Sequence, residues 1–160
     1  MFREMRRINQ QTSIDEAKEV VKNSRIGVLS LMGDDGYPYG VYLDYFYDIE
    51  NNKLYFHGAT EGHKIDSIRR LDKCSFTILS EPYKMENEWF NRYTSVVIFG
   101  RIKEVLDYNI KISILKNLGN KYYPSKDEVL KMVERPLDNV FLLELKVEHI
   151  TGKKIKEKWY

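Results

Sequence analysis

The sequence predicts a mainly β domain, a six-stranded antiparallel barrel with helices packed outside it. Three observations carry that expectation. Residues 140–150 alternate, with Phe141, Leu143, Leu145 and Val147 set against Glu144, Lys146 and Glu148, which is the two-residue period of a strand with one buried face. Gly33-Asp34-Asp35-Gly36 separates two strand-like runs, and an Asp-Gly pair supplies the positive φ angles of a tight hairpin turn. A chain of 160 residues is short for two separately cored sheets, whereas one sheet closed on itself removes its exposed edges.

The elements follow in order. Residues 13–23 read as an amphipathic helix: Thr12 or Ser13 can cap it, Asp15 and Glu16 suit its first turn, and Ile14, Ala17, Val20 and Val21 form an apolar stripe. Residues 26–32 make the first strand and 39–47 its return across the Asp-Gly turn. Glu50-Asn51-Asn52 marks the next turn, before a third strand at 53–57, so the first three strands form an antiparallel meander. Residues 58–62 break the pattern, and 64–71 are a short helix with Ile65, Ile68 and Leu71 at three-residue spacing. The fourth strand is 74–79. Residues 81–92 are polar around Trp89 and Phe90 and match no element. The fifth strand spans about 95–105, with Gly100 a candidate bulge. A helix carrying Ile110, Ile114, Leu115 and Leu118 ends near Gly119, a second covers 127–133 after Pro124, and the last strand is 140–150. No repeat, low-complexity tract or linker interrupts the chain, so residues 1–160 are expected to be a single domain.

Composition narrows the function classes. Twenty-six basic residues against 24 acidic ones give a net charge of +2, too weak a field to point to nucleic acid. The basic excess is local: Arg3, Arg6 and Arg7 at one end, and Lys153, Lys154, Lys156 and Lys158 at the other, where a solvated tail is expected. Cys74 is the one cysteine, which rules out an internal disulfide and a cysteine-based zinc cluster; inside a strand it reads as a buried, inert thiol. No apolar run approaches the ~20 residues of a membrane span, and the charged first residues lack a signal-peptide core, so the expected compartment is the cytoplasm. Twelve tyrosines supply flat rings with polar tips, suited to strands, interfaces and planar ligands.

The chemistry concentrates in residues 54–66. A strand ends at Gly58, a short loop follows, and a helix starts with His63 and Lys64 in its first turn. Free amides at a helix start favour an anion, and cations there oppose the macrodipole by a few tenths of a kcal/mol unless an anion binds between them. Gly58 and Gly62 would let the backbone approach such a ligand. A solvent-facing lysine and histidine after an ordinary loop is the alternative. His57, Glu61 and His63 are conceivable metal ligands, but their spacing matches no compact zinc motif and no metal is expected. His149 reads as a structural or surface histidine. The chain has no nucleophile elbow, P-loop or dinucleotide fingerprint.

Several motifs in this order resemble a known family. They are Met5-Arg6-Arg7 before the first helix, Gly36-Tyr37-Pro38-Tyr39 entering the second strand, Tyr55-Phe56-His57-Gly58-Ala59, and Gly62-His63-Lys64-Ile65-Asp66. Trp89 ahead of Tyr93-Thr94-Ser95-Val96-Val97, Gly100, and Ile150-Thr151-Gly152-Lys153-Lys154 complete the set. The ordered set resembles the pyridoxamine-phosphate oxidase-like FMN-binding split-barrel superfamily, and within it the nitroimidazole-resistance branch.

That resemblance implies a Greek-key split barrel holding FMN at a homodimer interface, with a small-molecule substrate and no role for nucleic acid or membrane. His63 and Lys64 would grip the phosphate. Tyr42, Leu43 and Asp44 would form the strand whose backbone faces the flavin ring, His57 and Ala59 would line the same cleft, and Tyr93 and Ser95 would approach from the fifth strand. The implied activity is an FMN-dependent oxidoreductase, such as a nitroreductase with an external reductant. The alternatives are a flavin- or other cofactor-binding module without turnover and an oxidase of the pyridoxamine-phosphate type. The chain departs from the family twice, with Tyr42 where proline is frequent and His63 where arginine is frequent; histidine is the weaker and more pH-dependent anion partner.

Overall fold

Local sequence signals set the ends of most elements in the computed structural model, which describes residues 1–133 and 141–155. Helix α1 (Ile14–Asn23) opens on a capping box: Ser13 Oγ accepts from the Glu16 amide at 3.1 Å while the Glu16 carboxylate accepts from the Ser13 amide at 3.1 Å. Strands β1 (Ile26–Met32) and β2 (Pro38–Asp44) form the expected hairpin, with Asp35 at φ +53° and Gly36 at φ +78° in its turn. Strand β3 (Phe46–Asp48) turns back through Asn52, at φ +53°, into β4 (Lys53–Gly58). Then come α2 (His63–Arg70), β5 (Lys73–Leu79), β6 (Thr94–Glu104), α3 (Tyr108–Tyr122), α4 (Lys126–Val133) and β7 (Phe141–Lys154).

Every strand pair is antiparallel, and one sheet in the order β2-β1-β5-β6-β7-β4-β3 curls into a half-barrel. The described residues hold seven strands where six were expected. The extra one comes from the run 39–47, which does not pair as a unit: β2 pairs with β1, β3 pairs with β4, and Tyr45 between them belongs to neither ladder. Alternation alone could not show this, because the pattern continues through the break.

The curl encloses the main core, which includes Leu29, Phe56, Phe76, Ile98 and Leu145. Phe76 meets Tyr45 edge-on at 5.1 Å and Phe56 at 5.0 Å, so truncating it to alanine would cost about 3–5 kcal/mol. A second cluster, Tyr55 and Leu142 with Val105, Ile114, Leu115 and Leu118, seats α3 on the outer face of β4 and β7. This helix continues past Gly119 to Tyr122: Gly119 is buried, and Pro124, two residues beyond the last turn, follows the stop. The bulge expected at Gly100 is present as a register shift between Phe99 and Gly100, where a β-carbon would collide with the Lys146 carbonyl.

Two other expectations change. Strand β7 runs on beyond residue 150, and Lys153 and Lys154 pair with Ser95 and Thr94 instead of forming a solvated tail. Val140, Lys156 and Lys158 lie outside the described residues. Residues 81–92 form an arm closed by a bridge between Tyr83 and Arg92, with an ion pair from Arg92 Nε to the buried Glu88 carboxylate at 2.8 Å and Trp89 at its exposed tip. No helix among the described residues is long and apolar enough to cross a membrane.

Candidate functional site

The break at Tyr45 creates a cleft. Continuing the β3–β4 register backwards would set Asp44 opposite His57 and Tyr42 opposite Ala59, yet β2 pairs only with β1 there and its other edge is free. A cavity of about 320 Å³ occupies the outer side of this seam, lined by Ile26, Tyr42, Leu43, Asp44 and His57. Tyr42 and Asp44 point outward, while Leu43 is half-buried and packs on the main core. The unpaired N–H and C=O groups of an edge strand are the donors and acceptors a planar heterocycle can use. The structure thus gathers four of the expected site residues in one place, with Ala59 immediately after the end of β4.

At the adjoining end of β4 a cation closes on the seam. Lys64 Nζ lies 2.9 Å from where a β-carbon on Gly58 would stand, so this glycine is what lets the ammonium reach β4. The ammonium is half-buried and has no hydrogen-bond or ion-pair partner among the described residues, and burial pushes it below the usual lysine range. Its helix is capped by Gly62 at φ +111°, which brings no side chain to the first-turn amides; those of Ile65 and Asp66 return to the Gly62 carbonyl at 2.8 and 3.1 Å. His63 is placed differently. Its ring stacks on Tyr39 at 4.0 Å, and Nε2 stands 3.5 Å from Asp34 in the β1–β2 turn. Asp34 also pairs with Arg70 at 3.1 Å, so the turn is fastened to both ends of α2.

Tyr93 and Ser95 are not brought to this cleft. The outer-face row Tyr42, Val28, Thr77, Val97 crosses three strand intervals of about 4.8 Å each, and Ser95 lies two residues further along β6. No group of three or more His, Cys, Asp or Glu that could hold a metal occurs among the described residues. Cys74 is buried, and burial with Asp72 and Glu148 nearby pushes its thiol up to about 12, an inert state. His149 is on the outer sheet face, stacked on Phe2 at 4.5 Å.

A family model described as pyridoxamine 5'-phosphate oxidase matches residues 13–154, from the first cap to the end of β7. The chain belongs to that family. No curated protein matches it in sequence. Among solved structures, it is similar to a proposed 5-nitroimidazole antibiotic resistance protein from Bacteroides thetaiotaomicron, at 20% identity and TM-score 0.73, covering 90% of this chain and 86% of that one. An FAD-binding protein from Mesorhizobium loti aligns at 23% identity and TM-score 0.63, covering 91% and 97%. An FAD- and heme-binding protein from Mycobacterium smegmatis aligns at 17% identity and TM-score 0.72, covering 94% and 75%. At these identities the likeness is one of fold.

For this pyridoxamine 5'-phosphate oxidase family member, sequence reasoning missed two parts of the cleft. Ile26 was legible in principle, because the tight turn at 33–36 fixes the hairpin register that sets it opposite Asp44. Lys121 and Tyr122 of α3, whose side chains hydrogen-bond to the Tyr45 backbone beside the cleft, carried no local signal.

Proposed function

We propose that this chain is an FMN-binding oxidoreductase of the nitroimidazole-resistance type, with the flavin ring along the free edge of β2 and the phosphate at Lys64. The observation that carries the reading is the Lys64 ammonium, half-buried and without a partner among the described residues, beside a first turn of α2 that no side chain caps. A desolvated cation without a counter-ion is costly, and an incoming phosphate would supply that charge and accept from the amides of His63 and Lys64, the first-turn pair not already bonded to the Gly62 carbonyl. A free phosphate alone would satisfy Lys64, but not the edge strand and the cavity walls formed by Ile26, Tyr42 and His57, which suit a flat ring.

Bound FMN would supply the hydride or electron transfer. The chain's part is to orient and shield. The β2 backbone fixes the ring edge, Ile26 and Tyr42 exclude water along one side, and His57 is the side chain nearest to an incoming small-molecule substrate such as a nitroaromatic compound. No residue of the chain needs to be an acid or base for such a transfer.

The cofactor must lie outside the curl, since side chains fill the interior. A second copy is the cover proposed for it. The outer face of β2, β1, β5 and β6 presents Tyr42, Val28, Thr77 and Val97 in one uncharged row, which suits a symmetric interface. In such a homodimer Tyr93 and Ser95 would approach the other copy's flavin.

Titration of the purified apo-chain with FMN, followed by addition of a nicotinamide donor, tests the reading. Uptake with a yellow colour and bleaching by the donor is the expected result. Colour without bleaching by any donor leaves a flavin carrier without turnover, and a chain that takes up no FMN removes the proposal. Light scattering of the FMN-loaded chain should give twice the mass of one chain; a monomer contradicts the dimer.

A further inference from the structure

The backbone of Tyr45 is buried and leaves both ladders, so its amide and carbonyl need partners from elsewhere. The last turn of α3 supplies them. Tyr122 Oη accepts from the Tyr45 amide at 2.9 Å, and its own proton is within reach of the carbonyls of Arg25 at 2.5 Å and Tyr45 at 2.8 Å. Lys121 Nζ donates to the carbonyls of Ser24 at 2.7 Å and Tyr45 at 3.1 Å and stands over the Tyr45 ring at 4.1 Å. On the other side, the Tyr45 hydroxyl donates to the Val21 carbonyl at 2.6 Å, anchoring the residue to α1. Two side chains therefore make the hydrogen bonds that a neighbouring strand would make.

Their position gives this clamp a use. Arg25 and Tyr45 are each one residue from a wall of the cleft, Ile26 and Asp44. Without the clamp, the β3–β4 ladder has a continuous path through Tyr45 into β2, pairing Asp44 with His57 and closing the cavity. We propose that Tyr122 and Lys121 are positioning residues that hold the β2–β4 seam open for a flavin ring. This rests on the cofactor reading above, but concerns the ring edge and not the phosphate.

The two can therefore be separated by ligand. Tyr122→Phe removes only the hydroxyl, and it should weaken FMN and phosphate-free riboflavin by the same factor, roughly three- to tenfold. The visible absorption band of the bound flavin should shift, and exchange of the Tyr45 amide should accelerate. Ile98→Val, a core substitution in β6 remote from the seam, is the control for lost stability: it should lower the melting temperature and leave both affinities unchanged. If Tyr122→Phe binds both flavins as the parent does, or if it weakens FMN alone, the positioning role is wrong. Equal weakening by Ile98→Val also overturns it, since general destabilisation would then suffice. A parent chain that takes up neither flavin overturns the cofactor reading itself, and this role with it.

Discussion

The ammonium of Lys64 rests on Gly58, so near that a β-carbon on that residue would stand 2.9 Å from Nζ. A helix start and a strand end are thus fitted to each other through a missing side chain.

Gly58→Ala should expose that fit. The obstructed atom is the tip of a flexible side chain, so folding stability should change by no more than about 0.5 kcal/mol. The displaced ammonium should weaken FMN roughly three- to tenfold and leave riboflavin unaffected. Paired calorimetric titrations decide it; an unchanged FMN affinity would mean the ammonium does not act from this spot.

Lys64→Ala should cost more. Loss of a charge-assisted contact is worth ~1.5–3 kcal/mol, or roughly ten- to hundredfold in FMN affinity, and the affinity that remains should depend less on salt. Lys64→Arg should keep part of it, with altered geometry. Removing a desolvated cation that has no partner among the described residues should not lower the apo-protein's melting temperature. If riboflavin weakens as much as FMN, the lysine does not grip phosphate.

Lys121 makes a pH-dependent contribution whose sign follows from burial. Burial, then the charge of Arg25, pushes its ammonium down to about 8, with Asp44 pulling the other way. The unfolded chain holds that proton until about 10.4. Between these values the unfolded state binds more protons, so this group's contribution to stability rises with pH. Urea melts of the parent and Lys121→Met should show the parent's relative stability growing from about pH 8 to about pH 10.4. Buried tyrosines and Cys74 act in the opposite direction but are common to both proteins; a difference that stays flat would contradict the depressed value.

Cys74 should be silent in the native protein. Its thiol is buried, pushed up to about 12, and approaches the Gly100 carbonyl at 3.7 Å. A thiol reagent at about pH 8 should label the chain only as fast as it unfolds and reach one thiol per chain in denaturant. Rapid labelling of the folded protein would place the sulfur at the surface.

Much of this was legible because the signals are local. The Ser13 cap, the Asp-Gly turn and the alternation in residues 141–147 each act over a few residues, and they set the start of α1, the turn between β1 and β2 and the start of β7 to within a residue or so, though not where β2 and β7 end. The cleft residues Tyr42, Leu43, Asp44 and His57 were named from the family resemblance, since nothing in their own spacing says that a ladder stops beside them. What failed was long-range. The break at Tyr45 depends on Tyr122, 77 positions away, and a strand pattern carries no record of a partner that distant. His63 was expected beside Lys64 as a second grip, while the structure turns its ring to Tyr39 and Asp34, contacts that only the folded hairpin can bring.

The strand order also dictates a sequence of events in time. β4 has β7 as its neighbour on one side and only the three-residue β3 on the other, and β7 comes last among the described strands. As the chain emerges from the ribosome, the β3–β4 hairpin has no sheet to join until residues 141–146 have been synthesised. The half-barrel therefore closes late, over separations of 83 to 93 residues, and the loop-closure cost of that step slows folding relative to the early β1–β2 hairpin. A ribosome stalled before β7 would present an unmatched strand edge to its surroundings, a nascent state open to pairing with other chains.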